Sequence, residues 1–69
     1  MNEKEFVSKI REILDNESVT MDSALDDIDE WDSLSAVSFI AFANSSFGKT
    51  LMPDKVWECK TIRELYGLL

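Results

Sequence analysis

From Ser33 to Phe47 the chain runs without a proline or a glycine, and Gly48 follows at once. A long apolar-rich run needs hydrogen-bond partners for its own backbone, and a residue free to adopt a left-handed conformation gives a helix its stop. The spacing therefore predicts a helix over 33–47, capped by Asp32 or Ser33. With 69 residues, such a chain has room for one small core, burying roughly 60% of the surface its unfolded form exposes. A core of that size supplies about 3–5 kcal/mol. The single cysteine, Cys59, excludes an internal disulfide that would add to it. Packing between helices must hold the molecule together.

The flanking segments supply those helices. Phe6, Val7, Ile10, Ile13 and Leu14 fall at helical spacing behind Asn2 and Glu5, which read as an N-cap with a reciprocating glutamate. This first helix ends near Asp15 and Asn16, where the period is lost and Asn, Ser and Asp fill the chain as far as Trp31. Val19, Leu25 and Ile28 are the expected anchors of that connection on the core. Pro53 opens a short helix, "PDKVWE", with proline in its first turn and an acid beside it. Thr61 and Glu64 form a capping box ahead of Ile62, Leu65, Leu68 and Leu69, so a last helix is expected to run to the final residue. No strand-like alternation and no internal repeat breaks this pattern. The reading is all-α, a small four-helix bundle of three longer helices and one short one, with residues 1–69 as a single domain.

Charge narrows the function classes. Fourteen acids against seven bases give a net charge of -7, which argues against binding nucleic acid or an anionic membrane and favours a basic protein partner. At 45% hydrophobic, the composition is that of a folded domain and not of an acidic disordered tail. One cysteine and no Cys-x-x-Cys pair suit a reducing, cytoplasmic setting. The opening "MNEKEFVSKI" alternates charged and apolar residues, and no apolar run approaches about 18 residues, so neither a signal peptide nor a membrane span is expected.

The densest acidic run, Asp26, Asp27, Asp29, Glu30 and Asp32, leads directly into Ser33. A serine nucleophile needs a base to take its proton. The chain has no histidine, and neither Gly-x-Ser-x-Gly nor Ser-x-x-Lys surrounds Ser33. A calcium loop fails as well: counted from Asp27, Trp31 falls on a ligand position, Asp32 replaces the turn glycine and Ser38 replaces the closing glutamate. The acids are then either a solvated loop or part of a recognition surface. What remains for Ser33 is to receive a group, because a hydroxyl in the first turn of a helix lies beside amides with no intrahelical partner, an environment that favours a phosphate.

Asp32-Ser33-Leu34 at the head of a helix, Gly48 after Phe47, the downstream Pro53 and the length of the chain together resemble the acyl carrier protein family. The resemblance spans essentially the whole chain. It implies the four-helix fold of that family and a 4′-phosphopantetheine arm carried on Ser33. It also implies a carrier that is not itself an enzyme, with Asp32 and Leu34 recognised by a phosphopantetheinyl transferase. Acyl groups held as thioesters on the arm would pass between enzymes of acyl ligase, ketosynthase or acyltransferase type, in fatty acid, polyketide or specialised biosynthesis, with the carrier a monomer. Amino-acyl and peptidyl carriers are the alternative within such carriers, although they usually show Gly-Gly ahead of the serine, which is missing here. An unmodified acidic helical adaptor is the alternative from another class.

Placing residues at about 100° each on the second helix separates two apolar stripes. Ala36, Phe39, Ile40, Ala43 and Phe47 form the expected core face. Leu34, Val37 and Ala41 form another, either packed by the bundle or docking partner enzymes, as the resemblance implies. Phe42 falls among Ser35, Ser38, Ser45 and Ser46, and either packs under the acidic loop or contacts partners. Many fatty-acid carriers place acids where this helix has Ser35, Ser38, Asn44, Ser45 and Ser46, so steering here is assigned to the loop acids and docking to apolar contact. Trp31 is expected to fold over the core and fix the loop that presents Ser33, or to lie beside the arm. Val56 and Trp57 are expected to close the bundle against Ile62 and Leu65, and Cys59 reads as a small, partly buried residue.

Overall fold

The computed structural model describes residues 1–69. Four helices follow one another, α1 (Glu3–Leu14), α2 (Ser33–Phe47), α3 (Pro53–Glu58) and α4 (Ile62–Gly67), with a 3₁₀ turn at Leu25–Asp27 inside the long α1–α2 connection. Their ends lie where side chains can satisfy the backbone groups that a helix terminus leaves open. Asn2 accepts from the Glu5 amide at 2.8 Å, and Thr61 accepts from the Glu64 amide at 3.3 Å. At the other ends the backbone turns left-handed. Gly48 takes φ 66° after α2 and donates to the Asn44 carbonyl, while the Lys49 amide donates to Ala43. Asp15 takes φ 52° after α1, a conformation that a short polar side chain tolerates better than most.

The last helix is shorter than its apolar pattern suggests. It ends at Gly67 and has 6 residues, as many as α3, so the bundle has two longer and two short helices. Short helices are marginal unless packing and caps hold them. Here the α1–α2 connection does so: the Ile62 and Arg63 amides donate to the carbonyls of Ser23 and Met21 at 3.2 and 2.8 Å, and Leu25 donates to Lys60 at 2.8 Å. Leu68 and Leu69 lie past the helix, partly buried against the core.

One core joins all these pieces. Phe6, Val7, Ile10 and Leu14 of α1 meet Ala36, Phe39 and Phe42 of α2, with Val56, Ile62 and Leu65 closing the far side. Phe6 stands edge-on to Phe39 at 6.1 Å, a geometry favoured by the ring quadrupoles. Val19, Leu25 and Ile28 are buried as expected, and Met21, which carries no periodic signal, joins them. Every buried residue is apolar, and no buried side-chain polar atom lacks a partner.

Candidate functional site

The approach to α2 is a short, tightly tied segment. Leu25 and Ile28, 2% and 8% exposed, seat it on the core, and the Trp31 amide donates to Ile28 at 3.1 Å. Glu30 is held from two directions, its side chain accepting from Asn16 Nδ2 at 2.9 Å and its carbonyl accepting from Ser35 Oγ. Trp31 is half-buried and lies edge-on to Trp57 of α3, with ring centroids 5.8 Å apart. Trp57 itself is 49% exposed, so Val56 closes the bundle and Trp57 does not. Four anchored residues, Leu25, Ile28, Glu30 and Trp31, thus precede the helix.

Asp32 is the N-cap. Its Oδ1 accepts from the Ser35 amide at 2.9 Å and from Ser35 Oγ at 3.2 Å. The Ser35 amide is the main reason its carboxyl lies below the ordinary value; burial opposes the shift, and the Ser35 hydroxyl and the Leu34 amide add to it. A carboxylate held this way is a poor base. Ser33 follows as the first residue of α2, exposed, with a hydroxyl that makes no hydrogen bond to the protein. The Ser33 and Leu34 amides likewise have no backbone acceptor. The arrangement offers a free hydroxyl beside first-turn amides that no backbone carbonyl takes up, with no group to deprotonate it, which suits attachment and not nucleophilic turnover.

The rest of α2 divides sharply. Leu34 and Val37 are 76% and 62% exposed, and Ala41 is exposed one turn further on. Phe42 is not part of that surface. It is 8% exposed, edge-on to Phe47 at 5.8 Å, with Lys9 Nζ 5.6 Å over its ring. It packs against α1, away from the acidic loop, because the buried arc of α2 is centred nearer Phe39 than the sequence pattern places it. Ile40 and Phe47, expected in the core face, lie only partly buried at its edge. Of the two places the sequence left open for Phe42, packed or in contact with partners, its ring takes a packed one.

The acids of the connection stay exposed, and no three of the Asp, Glu and Cys side chains converge in a metal-holding group. Two surface hollows exist, one by Asn16, Val19, Ala24 and Ile28 and one along α1 by Val7, Arg11 and Met21; neither includes a residue of α2 or α3. Cys59 Sγ donates to the Lys55 carbonyl at 3.5 Å, and partial burial, with Glu64 and Glu58 nearby, pushes its thiol pKa up. No helix is long and apolar enough to cross a membrane.

Compared with known proteins, the chain gave no match among curated proteins or among solved structures. A family model described as "Phosphopantetheine attachment site" matches residues 4–69, nearly the whole chain. The chain therefore belongs to the phosphopantetheine attachment site family, carrier domains that bear a covalently attached 4′-phosphopantetheine.

Proposed function

We propose that Ser33 is the attachment point and that the protein is an acyl carrier. The observation that carries this is the exposed, unbonded Ser33 hydroxyl at the head of α2, next to the Ser33 and Leu34 amides, which have no backbone acceptor. A phosphodiester fits there, since its anionic oxygens can accept from the Ser33 and Leu34 amides at the positive end of a helix of 15 residues. In the modification, Ser33 Oγ attacks the pyrophosphate of coenzyme A. A P–O bond of the pyrophosphate breaks, adenosine 3′,5′-bisphosphate leaves, and the serine proton passes to a base of the transferase. Asp32, exposed beside Ser33, would help hold the transferase's magnesium.

Bound at Ser33, the arm supplies a terminal thiol on which an acyl group is held as a thioester. The protein's own part is presentation. Its loop acids steer basic partners and its Leu34, Val37 and Ala41 row gives them apolar contact, for acyl ligase, ketosynthase or acyltransferase-type enzymes of fatty acid, polyketide or specialised biosynthesis in the cytoplasm. The missing Gly-Gly ahead of Asp32 favours acyl over amino-acyl cargo.

The test is an intact mass after incubation with coenzyme A and a broad-specificity transferase. The parent protein should gain one phosphopantetheine and Ser33→Ala none. An unchanged parent mass would leave an unmodified adaptor as the function. Loading of the modified protein by amino-acid adenylating enzymes and not by acyl ligases would overturn the acyl assignment.

A further inference from the structure

The segment that presents Ser33 is tied to three elements, and only one tie comes from α3. That helix has a single buried residue, Val56; Pro53, Asp54, Lys55, Trp57 and Glu58 are all exposed. Its contact with the approach to α2 is the edge-to-face pair of Trp57 and Trp31, at 5.8 Å and 67° between planes. Trp31 lies two residues before Ser33, and between them stands Asp32, whose extended backbone and cap set the first turn of α2.

We propose that Trp57 is a positioning residue for the modification of Ser33. Its ring braces Trp31, and through Trp31 it restricts the orientation in which α2 presents the Ser33 hydroxyl. The other side-chain ties, from Asn16 and Ser35, end on Glu30 and Asp32. They leave the indole of Trp31 as the only large side chain between Ile28 and Leu34 that can lean on a neighbouring helix. A hydroxyl that must approach a phosphorus in line gains rate from restricted orientation. The loss on removing the brace is therefore expected in kcat of the transferase reaction, with KM for the carrier little changed. The proposal rests on Ser33 being the modified residue.

The test uses the whole chain in four forms, the parent, Trp57→Ala, Trp31→Ala and the double variant, together with Trp57→Phe. Each is checked for helical circular dichroism and then assayed for modification rate against carrier concentration. An aromatic pair of this kind predicts a fall in kcat of about three- to tenfold in Trp57→Ala. Trp57→Phe should recover most of it, and the double variant should be no slower than Trp31→Ala, because Trp57 acts through that ring. Amide exchange over 31–35 should quicken in Trp57→Ala while that of Phe39 stays as in the parent. Independent, multiplying effects of the two tryptophans, or a change confined to KM, would mean that Trp57 touches the transferase directly and would overturn the proposal. So would a Trp57→Ala protein modified as fast as the parent. A parent that takes no arm at all would remove the carrier reading, and this proposal with it.

Discussion

Both sides of α2 are apolar, yet they have opposite fates. Ala36, Phe39, Phe42 and Ala43 are buried against α1 and the rest of the core, whereas Leu34, Val37 and Ala41 face solvent on the same helix. Residue type does not decide between them; the neighbours do. The buried side supplies the folding free energy, and the exposed side keeps apolar surface that folding does not use. Single exposed apolar residues are ordinary, but a row beginning beside Ser33 is where partner contact is expected.

The strongest way to break this division is in the core. Phe39 is fully buried and edge-on to Phe6, so Phe39→Ala should lose about 3–5 kcal/mol, as much as a domain of this size has in total. The variant should lack a cooperative thermal transition; a folded Phe39→Ala would show that the core lies elsewhere. Phe42→Ala tests the packed placement of that ring. A residue 8% exposed should lower stability by about 3 kcal/mol, read from the denaturant midpoint. A stable variant with impaired transfer would return Phe42 to the partner surface.

On the exposed side, Val37→Asp should change stability by no more than about 0.5 kcal/mol, with the helical signal intact. Transfer by partner enzymes should fall about tenfold, since a carboxylate placed against an apolar contact loses its hydration. Unfolding of this variant would instead place Val37 in the core.

These tests follow the line between what was legible in the sequence and what was not. Caps and stops were legible because one residue type at one position satisfies a backbone need: Asn2, Asp32, Thr61 and Gly48 all stand where the structure has them. So was the exposed hydroxyl candidate Ser33, placed by its position after a cap. The rotation of α2 was not, because apolar residues occur nearly all round the helix and only the placement of α1 selects the buried arc. Phe42 lies about 60° round from Phe39, an offset the pattern does not resolve. Trp57 escaped for another reason: a helix of 6 residues shows too little period to tell an inward tryptophan from one leaning on a loop. The short α4 escaped because Leu68 and Leu69 continue the apolar pattern after the helix has ended.

The smallest expected effect lies at the cap itself and sharpens how Ser33 is presented. Asp32 titrates below its ordinary value of 3.8 in the folded chain, chiefly because the Ser35 amide donates to it. The unfolded carboxyl takes up a proton first as pH falls. The bond therefore contributes fully above the ordinary value and is lost as pH drops through the lower, folded value. General acidification also relieves repulsion in a chain of net charge -7, so the parent's curve alone mixes the two effects. Asp32→Asn separates them, because asparagine caps about as well as aspartate but carries no charge. The parent should be the more stable protein at pH 7, and the gap between the two denaturant midpoints should narrow as the pH falls below 3.8. A gap independent of pH would mean that the carboxylate charge does not hold the first turn of α2, and that the backbone alone aims the serine.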